Sequence, residues 1–279
     1  MIYLNGEWMP LEDAKISVLD RGFIFGDGVY EVVPVYKRLA YRLPQHLRRL
    51  RYSLDGIRLA NPHSDAQWSA LFLEVIARQP FVDQTVYLQV TRGAAKRDHA
   101  FPQGVAPTVF MMANPLVSPS AEQIETGVAA VTAIDNRWSR CDLKTTALLG
   151  NVLMRQYAAD HGAVETIMFR DGFLTEASAS NVLIVKHGTI VAPPKNNLIL
   201  PGITYDAALE IAREGGLPVE VRPVRESEVW AADEVWLSSS TKEVLAVTLL
   251  DGKPVGGGVP GPVLRRMHAL FQASKARGG

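Results

Sequence analysis

A single cysteine, Cys141, in 279 residues leaves the chain without an internal disulfide and fits a reducing compartment. An excess of charge of one sign is lacking too. The 29 lysines and arginines balance 29 aspartates and glutamates, so no global field favours nucleic acid or an anionic membrane. The N-terminal MIYLNGEWMPLEDAK has neither a basic start nor an apolar run, so no secretory signal is expected. An uncharged stretch runs from Ala100 to Ala121, but Pro102, Pro107, Pro115 and Pro119 interrupt it, as suits a strand and linker rather than a bilayer helix. No internal repeat or low-complexity tract occurs. These absences predict a soluble cytoplasmic protein, long enough for a large core in one or two domains.

What is present has a clear order. MIYLNGEWMP reads as a hairpin around Asn5-Gly6, and GVYEVVPVYKRLAYRL as two strands. LPQHLRRLRYSLDGIRL reads as a helix with Leu47, Leu50 and Leu54 on one face, and SDAQWSALFLEVIARQ as another, capped by Ser64 or Asp65. TVYLQVTRG and APTVFMMANP add two strands, giving a small α+β domain over residues 1–115 with a mostly antiparallel sheet. NPLVSPSAEQ supplies a linker over 116–122. A second domain over 123–279 follows, with strands turning at Asp171-Gly172 and His187-Gly188 and a helix ending on Gly215-Gly216. DEVWLSSSTKEVLAVTLLDGKPV gives two more strands, and PVLRRMHALFQASKA closes as an amphipathic helix.

Two segments carry chemistry, and their key residues lie 32 positions apart (176 − 144). RWSRCDLKTTALLGNVL holds Lys144 before an apolar run. DGFLTEASASNVLIV holds Glu176 before small residues and a strand. An imine-forming lysine and a carboxylate able to hold a pyridine nitrogen are the side chains that pyridoxal phosphate (PLP) chemistry needs. Behind Lys144, Leu148, Leu149, Val152, Leu153 and Tyr157 recur at helical spacing, with Thr145 or Thr146 as N-cap and Gly162 as stop. Lys144 is thereby expected just before a helix N-terminus, whose positive end disfavours an ammonium. Cys141 has no nucleophile context and reads as a small buried hydrophobe.

A phosphate requires a cradle, and three segments could supply one. In LPGITYDAAL the amides of Ile203 and Thr204 open a helix after Pro201-Gly202. LSSSTKE offers Ser239, Ser240 and Thr241 in a turn. HLRRLRYS offers Arg48, Arg49 and Arg51, one of which could reach inward as a planar fork. Arg97 and His99 in VTRGAAKRDHAFPQG, if extended, point to one side and could clamp a carboxylate, with Tyr30 and Tyr87 as hydroxyl partners. Each feature alone is also what an ordinary cap, polar turn or solvated loop looks like.

Taken together, DRGFIFGDGVYEVV, HLRRL, VTRG, RDHAFP, RCDLK, TEASASNV and LPGIT resemble the fold-type IV PLP-dependent aminotransferases nearly end to end, and within them the bacterial D-amino acid branch. The resemblance implies a small N-terminal α+β domain and a larger C-terminal barrel-like α/β domain. It also implies Lys144 as the Schiff-base lysine, Glu176 on the pyridine nitrogen and Arg49 on the phosphate, with Ile203, Thr204 and Ser240 as further phosphate contacts. Tyr30, Arg97 and His99 would hold the substrate carboxylate, the last two reaching in from the partner of a homodimer. Ala179 departs from the serine common in relatives, which bears only on one hydrogen bond near the cofactor.

The resemblance thus implies ping-pong transamination of D-amino acids, of the D-alanine type, with a 2-oxo acid such as 2-oxoglutarate. An L-branched-chain aminotransferase, an (R)-amine transaminase or aminodeoxychorismate lyase would share Lys144, Glu176 and Arg49. The Arg97–His99 pair favours D-amino acids. A non-catalytic binding protein of this fold would have no use for an imine-forming lysine.

Overall fold

The computed structural model describes residues 1–275, so the last residues of the predicted second domain, 276–279, lie outside the described ones. Two compact units emerge. One comprises Met1–Leu116 with Leu143–Leu148, and the other Val117–Asp142 with the residues from Leu149 onward.

In the first unit, β1 (Ile2–Leu4) and β2 (Glu7–Met9) form a hairpin whose turn residues, Asn5 and Gly6, both take positive φ, 50° and 99°. A short helix, α1 (Arg21–Phe25), is capped by the Asp20 side chain. Next come β3 (Gly28–Tyr36), β4 (Leu39–Ala40), α2 (Leu43–Gly56) and α3 (Asp65–Ala77), the last opened by a capping box between Ser64 and Gln67. β5 (Gln84–Thr91) and β6 (Thr108–Pro115) complete a sheet of order β2-β1-β6-β5-β3-β4, antiparallel throughout. Leu47, Leu50 and Leu54 of α2 and Trp68 and Phe72 of α3 share one core with Val29, Val33, Val86, Leu88 and Val90 of the sheet. Because strand side chains alternate, Tyr30 and Tyr87 fall on the opposite, half-covered face.

Leu143–Leu148 corrects the predicted helix start. β3 pairs with β4 only through Val35 and Tyr36, which leaves the edge of its first residues open. The returning segment fills that edge: Tyr30 N–H donates to Lys144 O at 3.0 Å, Thr146 N–H to Gly28 O at 2.9 Å, and Thr145 bridges Val29. Satisfying a strand edge outweighs local helix propensity here, so neither threonine caps a helix.

The second unit begins with α4 (Ala121–Thr126), whose N-cap Ser120 falls inside the predicted linker, and β7 (Val128–Ile134). It continues through α5 (Leu149–Asp160), β8 (Glu165–Arg170), β9 (Phe173–Ala177), β10 (Asn181–Lys186), β11 (Thr189–Ala192) and α6 (Ile203–Glu214). The remaining elements are β12 (Val219–Val221), α7 (Glu226–Trp230), β13 (Glu234–Ser239), β14 (Glu243–Leu250), β15 (Lys253–Pro254) and α8 (Pro262–Lys275). Among the described residues these strands make a nine-stranded sheet of order β12-β11-β10-β13-β14-β7-β8-β9, with β15 beside β14.

That order forces curvature. In a flat sheet β9 and β10 would stand five strand positions apart, about 24 Å. The connection from Ala177 to Asn181 spans about 14 Å at full extension. The sheet therefore curls into a half-barrel around Ile167, Val182, Ile184, Val235, Leu237 and Val247.

α5 carries the apolar stripe read from the sequence. That stripe does not face a core: Leu149 is 71% exposed, Val152 and Leu153 57% each and Tyr157 39%. Ala158 is the buried residue of this helix.

Leu50 is fully buried in the first core. Leu50→Ala is expected to cost about 2–5 kcal/mol of unfolding free energy in denaturant titration.

Candidate active site

Lys144 is presented by the extended segment on the edge of β3. Its amide donates to Ser53 Oγ at 3.1 Å, and its half-buried ammonium lies 4.1 Å from the centroid of the Tyr30 ring. Tyr30 in turn stacks on Tyr87, with centroids 5.8 Å apart and rings 28° from parallel. The structure thus brings together three residues singled out from sequence. The Tyr87 hydroxyl is committed to Gln89 Oε1 at 2.7 Å, and burial beside Tyr30 pushes its pKa up to about 12. It stays a neutral phenol that donates to Gln89.

Of the three arginines of α2, the structure buries Arg49 and leaves Arg48 and Arg51 exposed, Arg51 paired with Asp65. Arg49 meets Glu31 of β3 through two bonds, Nε to Oε1 and Nη2 to Oε2, each 2.8 Å. His46 Nδ1 lies 2.8 Å from the same carboxylate. Burial pushes the Glu31 carboxyl up, but Arg49 and His46 overcome it and hold the group far below its ordinary range. Burial lowers the His46 pKa, with the charges of Arg49 and Lys144 acting in the same direction and Glu31 against them. Glu31 and His46 had no place in the sequence reading. A lone carboxylate inside VYEVVPV was the available signal, since an inward-facing charge in an apolar strand needs a partner.

Glu176, on β9, is 5% exposed. Its Oε1 accepts from Arg137 Nη1 at 2.6 Å, and its Oε2 accepts from Leu200 N–H at 2.9 Å and Asn181 Nδ2 at 3.3 Å. Arg137 is itself gripped by Asp135 through Nε and Nη2, each at 2.9 Å, and Asp135 also receives Thr175 Oγ1 at 2.8 Å. Burial pushes the Glu176 carboxyl up, opposed by Arg137 and the Leu200 amide, whereas the two carboxylates raise Arg137 above its ordinary value despite burial. Arg137 and the Leu200 amide both donate to the Glu176 oxygens, which favours the charged form against burial. Arg137 and Asp135 were missed because RWSRCDLK holds two arginines and no pattern to separate them.

The helix start and the turn expected from the sequence are present. Ile203 starts α6 and, with Thr204, is buried, while the N-cap Gly202 provides no side-chain cap. A Cβ at Gly202 would stand 2.0 Å from Asn181 Oδ1, so a larger residue there would have to displace the Asn181 amide, which donates to Glu176 and Leu200 O. Ser240 lies in the turn joining β13 to β14, where Lys242 N–H donates to Ser239 Oγ at 3.1 Å. Lys242 also pairs at 3.0 Å with the fully buried Glu165, which receives Ser178 Oγ, Ser180 Oγ and the Ala179 amide.

Arg97 and His99 are exposed on an irregular loop, not an extended strand, and both rest on the ring of Phe25, at 5.3 and 5.4 Å. Cys141 is buried, its thiol pushed up to about 11 by desolvation and directed at Trp138 O, which agrees with an inert small hydrophobe. Among the described residues, no group of three or more His, Cys, Asp or Glu is placed to hold a metal ion, and no helix is long and apolar enough to cross a membrane.

Glu31→Gln is expected to cost about 3–5 kcal/mol, because it leaves Arg49 buried without its countercharge. The pH dependence has a fixed sign. Glu31 is depressed below its ordinary 4.5 and His46 below its ordinary 6.5, so the unfolded chain binds protons first at both sites. Stability should decline as pH falls below about 6.5 and again below about 4.5. Thermal melts from pH 8 to 4 check this, with the lower step smaller in Glu31→Gln but not lost, because Asp27 and Asp135 are also held below their ordinary value.

The family model for amino-transferase class IV matches residues 28–250. The D-alanine aminotransferase of Bacillus licheniformis is 39% identical over 273 residues, covering 98% of this chain and 96% of that protein. The D-alanine aminotransferase of Staphylococcus aureus (strain COL) is 38% identical over 272 residues, or 97% of this chain and 96% of its own. Among solved structures, the branched-chain amino acid aminotransferase of Escherichia coli aligns with a TM-score of 0.91 at 28% identity, over 98% of this chain and 93% of that one. A hypothetical aminotransferase from Mycobacterium tuberculosis in its PLP-bound form shares the fold with a TM-score of 0.84 at 24% identity, over 98% of each chain. With the family match running through both units and relatives aligned nearly end to end, the chain belongs to the class IV aminotransferases.

Proposed function

We propose that this chain is a cytoplasmic, homodimeric PLP-dependent aminotransferase that moves the amino group of D-amino acids, of the D-alanine type, to a 2-oxo acid such as 2-oxoglutarate. The observation that carries the reading is Glu176, a buried carboxylate whose charge Arg137 maintains. An anion so placed is what a protonated pyridine nitrogen requires. The other residues fit the same group. Lys144 offers an amine for the aldehyde carbon, while buried Arg49, the α6 amides of Ile203 and Thr204, and the Ser240 turn offer the chemistry of a phosphate site. The D-alanine aminotransferases at 38–39% identity over nearly the whole chain support the D-amino acid assignment.

When bound, PLP supplies an electron sink for the charge that develops at the substrate α-carbon. Lys144 Nζ takes the α-proton and returns one, and Glu176 holds a proton at the pyridine nitrogen. Tyr30, Arg97 and His99 hold the substrate carboxylate, which fixes the α-hydrogen that faces Lys144. Tyr87 closes the wall beside Tyr30. The amino acid leaves as its 2-oxo acid before the second oxo acid enters.

Arg97 and His99 serve the partner's site in this reading. Their exposure supports it, as does the uncovered apolar stripe of α5, which a second copy would bury. A second reading, L-branched-chain transamination, draws on the TM-score of 0.91 to the Escherichia coli enzyme.

One half-reaction separates the two. Protein loaded with PLP is mixed with D-alanine or L-leucine without an oxo acid. Loss of the visible absorbance with D-alanine alone is expected, and Lys144→Ala should show no such loss. Bleaching with L-leucine alone would replace this proposal by the second reading. Mixing Lys144→Ala with Arg97→Ala subunits tests the shared site. Random pairing should restore about a quarter of wild-type activity if the arginine comes from the partner, and none if it acts within its own chain.

A further inference from the structure

We propose that Phe25 is a positioning residue that presets Arg97 and His99 for the carboxylate of the substrate, on a loop whose backbone Arg21 clamps. This rests on the reading of Arg97 and His99 as the carboxylate site.

The loop that carries both residues, Lys96–Phe101, has no helix or strand of its own and is exposed throughout. It is nonetheless held at three levels. Arg21, 4% exposed, sends its guanidinium to three successive carbonyls, those of Asp98, His99 (3.4 Å) and Ala100 (3.3 Å). Its Nε donates to Asp27 Oδ2 at 2.8 Å, and the same oxygen takes Arg92 Nε at 2.8 Å. Arg92 is tied to the carbonyls of Arg58 and Ile57 at 3.1 and 2.7 Å. Its guanidinium lies 3.7 Å from the centroid of the Phe101 ring, which anchors the far end of the loop.

The third level concerns the side chains. Phe25 is the last residue of the short helix that starts with Arg21, and its ring lies 4.8 Å from the Arg21 guanidinium. Arg97 and His99 rest on this same ring. An exposed arginine ordinarily samples many rotamers and must be ordered when it binds an anion. A guanidinium over the aromatic face and an imidazole packed against the same ring at a 43° tilt have lost part of that freedom beforehand, and the face favours the cation. Phe25 thus acts on substrate affinity through two other residues. Its ring contacts are with Arg21, Arg97 and His99, so the effect is expected on binding rather than on the chemical step.

The test is a double-mutant cycle on the PLP-loaded enzyme. Phe25→Leu removes the ring and keeps an apolar side chain; Phe25→Met serves if the leucine variant does not fold. KM for D-alanine and for the oxo acid should rise about tenfold, with kcat within about twofold of wild type. Phe25→Tyr, which keeps the ring, should restore KM. Combined with His99→Ala and Arg97→Ala, Phe25→Leu should add little to KM beyond what those changes cause, because its effect passes through them. Full additivity, an unchanged KM in Phe25→Leu, or a loss confined to kcat would overturn the proposal. If Arg97→Ala and His99→Ala themselves leave KM unchanged, the carboxylate-site reading fails first, and this inference fails with it.

Discussion

A carboxylate taken out of water must meet a cation or give up its charge, and each unit solves this with guanidinium forks. Glu31 is bound by Arg49 and His46, Asp27 by Arg21 and Arg92, and Arg137 is clasped by Asp135 and Glu176. The desolvation cost of each ion is several kcal/mol, so such sites persist only when several partners converge in good geometry. That condition makes them rigid. Each network also fixes one part of the proposed site: Arg49 beside β3, the loop from Lys96 to Phe101, and Glu176 on β9. Rigidity of this kind is what a preorganised electrostatic site needs, because dipoles and charges that do not move cost nothing to reorient during reaction.

Much of the fold was legible because its signals are local. Asn5-Gly6, Asp171-Gly172 and His187-Gly188 all take the paired positive φ of tight hairpins, and the Ser64 capping box opens α3 where the sequence placed it. The leucines at 47, 50 and 54 point into one core. The helix start behind Lys144 was misplaced for a physical reason. Whether Lys144 precedes a helix depends on an unfilled edge of β3, more than a hundred residues earlier, and that edge draws Leu143–Thr146 into an extended pairing. Whether the stripe on α5 is covered depends on what faces it, and periodicity reports only that a stripe exists. Long-range strand pairing and partner surfaces leave little trace in a local window.

The candidate site divides in the same way. Lys144 and Glu176 were singled out from chemistry, since few side chains can form an imine or hold a pyridine nitrogen. Arg49 could not be told from Arg48 and Arg51 by pattern, and burial against Glu31 separates it. Arg137 and Asp135 escaped altogether: their importance lies in whom they touch, and their spacing carries no period. Glu31 was within reach, because a carboxylate facing inward from an apolar strand implies a buried cation.

The placement of these residues bears on substrate choice. Relatives at 38–39% identity act on D-alanine by name, while a structure with a TM-score of 0.91 is a branched-chain amino acid aminotransferase, so the fold itself does not choose the substrate. The residues proposed for the cofactor sit on or beside β3, α2, β9 and α6, elements tied down by ladders and buried ion pairs. Arg97 and His99, proposed for the substrate carboxylate, sit on an irregular loop fastened by Arg21 and one aromatic ring. A loop can change its residues without disturbing a sheet, yet it can hold a small anion in one orientation only if something restrains it. The Arg21 clamp reconciles these two demands. It grips the backbone and leaves the loop side chains free to vary, so on the proposed assignment the substrate residues can change while the cofactor residues stay fixed.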